Sequence, residues 1–184
     1  MRGARTIVDL GAHQRSFTVE SIIKASPGQL IIAVELNPIA VKLCLDNIKA
    51  LGNIIKAKNP RIKTAVWDLE GEIYLDMSYW SEGAHVSTSG RGLRVRAVTM
   101  DDILNLAEGR TIVKMDIEGS EYRVLSKAEL ENVDIIPLEV HGSTEQIVKT
   151  LRDKGFKTQI TTQPISKELA LTWLKIKPRS MELS

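Results

Sequence analysis

A three-layer α/β fold with a mostly parallel sheet of about seven strands is predicted by three observations. Strand-like and helix-like segments alternate along the chain. Among the strand-like segments, Leu30 to Val34 is apolar throughout, as a strand covered on both faces is. Three of the segments stop at acidic or glycine turns: Ile7-Val8-Asp9-Leu10-Gly11, Ala33-Val34-Glu35-Leu36-Asn37, and Ile112-Val113-Lys114-Met115-Asp116, which runs on through Glu118, Gly119 and Glu121. In open α/β sheets, ligands sit beyond the carboxyl ends of the strands. Acid-tipped strands at that edge therefore predict a binding site.

In chain order, Thr6 to Leu10 is a β-branched, apolar strand. A glycine turn leads to Ser16, a suitable helix cap, and Val19, Ile22 and Ile23 follow at helical spacing before Ser26-Pro27-Gly28 breaks the helix. Leu30 to Val34 is the second strand. Asn37-Pro38 opens the next helix with a side-chain cap and a proline in the first turn. Val41, Leu45 and Ile48 are expected along its buried face, with Gly52 closing it. Cys44 lies in this helix as a small buried hydrophobe. Residues 62–66 read as a third strand. Residues 68–98 read as an insertion, with edge-like strands at 72–75 and 93–98 around a polar loop, 78–92, that carries Tyr79, Trp80 and His85 and is expected to act as a lid. A short helix at 101–106, the strand at 112–115, a helix at 122–130 and a strand at 135–140 follow. Ser143, with Gln146 three residues on, starts a further helix. Residues 156–161 and 169–176 read as a C-terminal antiparallel hairpin.

Bulk properties narrow the class. The 184 residues suffice for one domain, 1–184, with a sizeable core. A composition of 43% hydrophobic and 26% charged residues is that of a soluble globular protein. A net charge of +2 permits an anionic partner without arguing for one. The single cysteine excludes an internal disulfide and fits a reducing compartment. No apolar run approaches the roughly 18 residues of a membrane span, and a strand is reached by Thr6, before a signal peptide has room. A cytoplasmic protein is expected.

The chemistry-bearing residues cluster at the strand ends. Asp9-Leu10-Gly11-Ala12 is a strand, a tight turn and a helix start, which brings backbone N–H groups toward a ligand. Positions 13 and 16 are His and Ser, so the full G-x-G-x-x-G pattern is absent. Glu35 follows Gly11 at close to the spacing of about 20 residues at which an acid takes a ribose diol. The pair points to a nucleoside-containing cofactor. Asp116 follows an apolar run and is placed to orient an acceptor. His141 follows another strand, and an ordinary imidazole pKa near 6.5 suits it to be a base. Glu118 and Glu121 sit at a helix start, where carboxylates are also favourable for structural reasons. Asp116, Glu118 and Glu139 allow a divalent metal, but their spacing matches no metal motif and none is assigned. Lys56, Lys58, Arg61 and Lys63, and then Arg91, Arg94 and Arg96, form two basic clusters that read first as solvated faces.

These segments together resemble a known family. Val8-Asp9-Leu10-Gly11-Ala12, Val34-Glu35-Leu36-Asn37-Pro38, Ala65-Val66-Trp67-Asp68 with Gly71, Val98-Thr99-Met100-Asp101-Asp102-Ile103, Lys114-Met115-Asp116-Ile117-Glu118-Gly119-Ser120-Glu121 and Leu138-Glu139-Val140-His141 occur in the order seen in FkbM-type methyltransferases. The resemblance runs from about residue 6 to 155, and K-x-D-x-E-G-x-E is its most specific part. It implies the seven-stranded, Rossmann-like class I methyltransferase fold, the cofactor S-adenosyl-L-methionine, and O-methyl transfer to a sugar or another small hydroxylated acceptor. It implies cofactor contacts from Asp9, Gly11, Ala12, His13, Glu35, Leu36, Asn37, Ala65, Val66 and Asp116, with Asp116, His141 and Glu118 as catalytic candidates. The chain departs from the family at His13 and Arg15, where the family has Asn and a second glycine. Arg15 has the reach and charge to meet the cofactor carboxylate. Two alternatives stay open at this point: a cofactor-fold binding protein without catalysis, motivated by His13 and Arg15, and an RNA methyltransferase, motivated by the basic clusters.

Overall fold

The structure is a computed structural model of the chain and describes residues 3–12, 17–52, 55, 57–63, 65–76, 85–87, 90–164 and 170–178. Its elements run β1 (Thr6–Leu10), α1 (Phe17–Lys24), β2 (Leu30–Val34), α2 (Pro38–Leu51), β3 (Lys58–Lys63), β4 (Ala65–Val66), β5 (Gly71–Asp76), β6 (His85–Ser87), β7 (Leu93–Val98), α3 (Met100–Leu104), β8 (Thr111–Met115), α4 (Glu121–Lys127), β9 (Val133–Ile135), β10 (Leu138–Glu139), α5 (Thr144–Asp153), β11 (Phe156–Pro164) and β12 (Ala170–Pro178).

The main sheet has the order β11-β12-β10-β8-β1-β2-β3, with β9 also paired to β8. β1 pairs in parallel with β2 and with β8, and β12 runs antiparallel to β10 and β11. The expected mostly parallel sheet with a C-terminal hairpin is present. Among the described residues it holds eight strands rather than seven, because the strand expected at 135–140 is broken into β9 and β10, both on β8. The break falls at Ile136-Pro137; proline has no N–H to give the ladder, and the Pro137 carbonyl still accepts from Met115 N–H at 2.9 Å.

Every residue of β1 and of β2 is buried, which only a sheet covered on both faces produces. The pleat sorts the side chains. Ile7 and Ile31 meet Ile22 of α1 and Cys44 and Ile48 of α2 on one face. Val8, Leu10, Ile32, Val34, Val113 and Met115 meet Val124 and Leu125 of α4 and Ile147, Val148 and Leu151 of α5 on the other. At about 1.5–3 kcal/mol for each such side chain fully buried, these two faces supply the main driving force for folding.

The helix caps follow the sequence. Asn37 Oδ1 accepts from the N–H of Ile39 and Ala40, and Ser143 Oγ accepts from Gln146 N–H. The buried faces are rotated by one residue from expectation. α2 buries Ala40, Cys44 and Ile48 and leaves Leu45 exposed. α1 buries Thr18, Ser21 and Ile22 and leaves Ile23 exposed. In both helices a small residue lies against the sheet, where a larger one would hold the layers apart.

Two local expectations are corrected. The strand at 62–66 is two strands in two sheets: β3 pairs with β2, while β4 pairs with β7. The segments read as edge strands pair with each other. β7 is flanked by β4 and β5, and β6 completes a second, four-stranded sheet of order β4-β7-β5-β6. Most of the loop at 78–92, including Tyr79 and Trp80, lies outside the described residues. Among the described residues, no helix is long and apolar enough to cross a membrane.

Candidate active site

The chain winds from β1 out to β2 and β3, then returns to place β8 on the other side of β1. The order therefore reverses between β1 and β8, which is the crevice where open α/β sheets take ligands. Backbone hydrogen bonds tie the strand ends together there. Gly11 N–H and Ala12 N–H both donate to Val34 O, at 2.9 and 3.0 Å, and Asp116 N–H donates to Leu10 O at 3.0 Å. The N–H groups of Gly11 and Ala12 are thus used within the protein rather than offered to a ligand. Gly11 adopts a φ of 77°, and a Cβ there would stand 1.7 Å from Asp116 O. The close approach that requires glycine is to the neighbouring strand end. His13 and Arg15 lie outside the described residues.

Beneath this seam, Asp9 and Lys114 stand side by side in the β1–β8 register. Lys114 Nζ lies 3.4 Å from both Asp9 Oδ1 and Asp116 Oδ2, and it donates to Gly11 O at 3.0 Å. Thr18 Oγ1 donates to Asp9 Oδ2 at 2.5 Å. Burial pushes the Asp9 carboxyl up, against the pull of Lys114. Asp9 is fully buried, so it holds the seam from below rather than facing the crevice. Lys114 joins the turn, the seam and Asp116 in one network, a role the sequence analysis missed. Its signal was present: a lysine within an otherwise apolar strand, IVKM, demands a buried partner.

At the end of β2, Glu35 is buried and accepts from Asn37 N–H at 2.6 Å. That bond fixes the carboxylate at the mouth of α2. Leu36 is half-buried beside it and Asn37 caps the helix. Ala65 and Val66 are buried in the second sheet. The adjoining Trp67 carries the Arg123 guanidinium over its ring at 4.9 Å, and Arg123 reaches Asp68 Oδ2 at 3.5 Å.

The ends of β8 and β10 bring the catalytic candidates together. Leu138 pairs with Met115, so Asp116 and His141 emerge side by side, although 25 positions separate them in the sequence. Glu121 organises this corner. Its side chain is fully buried, and its Oε1 meets Ile117 N–H, Gly119 N–H and His141 Nδ1, at 3.3, 3.1 and 3.0 Å. His141 Nε2 faces Glu118 Oε2 at 3.5 Å and Glu139 Oε1 at 3.7 Å. Glu118 has left-handed backbone, with φ at 51°. Such a conformation costs a non-glycine residue about 1–3 kcal/mol and occurs most at functional turns.

The carboxylates set the protonation. The hydrogen bond to Glu121, reinforced by Glu118 and Asp116, pushes His141 up to about 9, against the effect of burial. The expected neutral base is therefore an imidazolium at neutral pH, held by Glu121, for which the sequence left a helix-start role and a site role both open. Glu139 is shifted up by burial and by Asp116. A carboxyl that holds its proton more tightly than usual suits the role of proton acceptor.

Comparisons with known proteins agree with this architecture. A family model described as "Methyltransferase FkbM domain" matches residues 9–158. No curated protein matches the sequence. Among solved structures, a candidate tRNA (m1A22) methyltransferase of Streptococcus pneumoniae in complex with S-adenosyl-L-methionine is similar, with a TM-score of 0.56 and 17% identity over 99% of this chain and 69% of that one. A candidate rRNA methylase of Clostridium thermocellum gives 0.55 at 13% identity, over 95% and 87%. The magnesium protoporphyrin IX methyltransferase of Synechocystis PCC 6803 with bound S-adenosylhomocysteine gives 0.51 at 11%, over 94% and 73%. At these identities the likeness is one of fold.

Proposed function

The chain belongs to the methyltransferase FkbM domain family, and on that footing we propose that it transfers a methyl group from S-adenosyl-L-methionine to an oxygen of a small hydroxylated acceptor. The observation that carries the reading is the meeting of four strand ends, β1, β2, β8 and β10, with Glu35, Asp116, Glu118, Glu139 and His141 at one edge of the sheet.

The donor set suits the cofactor. Glu35, a buried carboxylate fixed by the Asn37 N–H, is of the type that takes ribose hydroxyls. An acid-rich crevice complements the cationic sulfonium and ammonium groups of the methionine end. Gly11, Ala12, Leu36, Asn37, Ala65 and Val66 belong to the walls around that position, and Asp9 supports it from below. When bound, S-adenosyl-L-methionine supplies an electrophilic methyl group; the protein has to hold the acceptor oxygen in line and receive its proton. Asp116, tied by its N–H to the end of β1, orients the acceptor hydroxyl. Glu139 is the acceptor for the proton. His141, already protonated, positions Glu118 and Glu139 and is a positioning residue rather than the base.

A small acceptor is favoured over RNA by the second basic cluster. Arg94 meets Glu72 at 3.1 Å and Arg96 meets Glu70 at 2.7 Å on the second sheet, so two of the cluster's three arginines face a partner acid. The first cluster, at 56–63, has no described side chains.

The test is transfer of isotopically labelled methyl to a panel of sugars and other polyols, with release of S-adenosylhomocysteine. Asp116→Asn is expected to keep cofactor affinity within a few-fold and to cut turnover by about 10²-fold or more. Cofactor binding with no transfer to any acceptor would favour a binding protein; labelled RNA would overturn the small acceptor.

A further inference from the structure

We propose that Asp116, Glu139 and His141 form a divalent-cation site at the carboxyl ends of β8 and β10, with Glu121 as the group that orients the imidazole. One ligand atom from each of the three lies within 4.8 Å of the others. Ligands about 2.1 Å from one ion at right angles stand about 3 Å apart, so closing the site takes up to about 2 Å from side chains that are only partly buried. The donors are of mixed type, two carboxylates and an imidazole, a set that suits first-row divalent ions, Mn²⁺ among them.

The second observation is Glu121. Its fully buried carboxylate engages His141 Nδ1 at 3.0 Å and leaves Nε2 directed at Glu139 and Glu118. Carboxylate, imidazole, metal is the arrangement by which proteins fix a ligating histidine. The other oxygen, Glu121 Oε2, is buried with no hydrogen-bond partner among the described residues, so this buried carboxylate is only half paired. The local charge agrees. The carboxylates of Asp9, Asp116, Glu121 and Glu139 are set against the two cations Lys114 and His141. Without a metal, the imidazolium serves as counter-ion; a dication displaces the Nε2 proton to solvent and, held by the same carboxylates, meets the excess more fully. Protein spacing along the chain could not show this site, because its ligands come from two strands that only the sheet makes neighbours.

Three protein ligands leave open coordination positions on a six-coordinate ion. Resting on the methyltransferase reading, the acceptor class is then one that presents two adjacent oxygens, such as a vicinal diol, held by the ion next to Asp116.

The experiment titrates Mn²⁺ into chelator-stripped, full-length protein, following free Mn²⁺ by electron paramagnetic resonance. One ion per chain is expected. Glu139→Gln and His141→Gln are each expected to weaken binding at least tenfold, and Glu121→Gln by about 10–100-fold. Glu121 is buried, so circular dichroism accompanies its variant. If that variant unfolds, the two part-exposed ligands carry the test. Absence of Mn²⁺ binding to millimolar concentration, or binding unchanged by Glu139→Gln and His141→Gln, overturns the site. Calorimetry with S-adenosyl-L-methionine on the same samples separates the readings. Cofactor binding without Mn²⁺ leaves the methyltransferase and removes the metal. Mn²⁺ binding without the cofactor keeps the cation site and removes the acceptor class.

Discussion

Glu35 and His141 are side chains whose surroundings set their properties. Glu35 is buried at the end of β2 with one backbone N–H on its carboxylate. Glu35→Ala is expected to weaken S-adenosyl-L-methionine binding by about 1.5–3 kcal/mol, the scale of a hydrogen bond to a charged group; unchanged calorimetric affinity in the folded variant would take Glu35 out of the site. His141 gives a prediction in pH. Its pKa rises from 6.5 to about 9 on folding, so the folded state binds the proton more tightly than the unfolded one. The stability this confers is fully present below about 6.5 and is lost as pH climbs through about 9, by up to about 3 kcal/mol at 1.36 kcal/mol per unit. In chelator, urea unfolding should show the midpoint falling over that window, and His141→Gln should flatten the fall. A wild-type midpoint that is level from pH 6.5 to 9 would contradict the Glu121 pairing.

Among the elements, the decisive one is the seam between β1 and β8. The Gly11 turn is where the sequence suggested close approach of a cofactor, and the structure places the Asp116 carbonyl there instead. Gly11→Ala therefore strains a φ of 77° and drives a methyl group into backbone. A loss of about 2 kcal/mol or more in folding stability is expected, from the conformational cost together with the displaced strand end. Differential scanning calorimetry checks it without any ligand. A variant as stable as wild type, with only cofactor affinity lost, would restore the ligand as the reason for this glycine.

At the scale of the whole molecule, the main sheet gathers Glu35, Asp116, Glu139 and His141 at its carboxyl edge, and Arg94 and Arg96 of the second sheet each face a glutamate. RNA binding at physiological salt is expected to be absent. If the protein did engage RNA through its basic residues, the logarithm of affinity would fall steeply with the logarithm of salt, since each neutralised phosphate releases counterions. Filter binding across a salt series decides this, and tight association with a slope worth several phosphates would overturn the small-acceptor reading.

Local physics made much of this legible in the sequence alone. The apolar β2, the Asn37 and Ser143 caps, the terminal hairpin and the acids at strand ends are each written within a few residues, because burial on both faces, capping and turn formation are short-range demands. The resemblance carried by K-x-D-x-E-G-x-E supplied the family. Tertiary structure decided the rest. Whether Cys44 or Leu45 faces the sheet depends on a rotation of about 100° per residue, set by the partner layer. The split of 62–66 between two sheets depends on which neighbour each half finds. Whether His141 is base or cation depends on Glu121, 20 positions away in sequence and 3.0 Å away in space. Charge interactions act over ångströms of space and not along the chain, so the protonation of the site became readable only once β8 and β10 lay side by side.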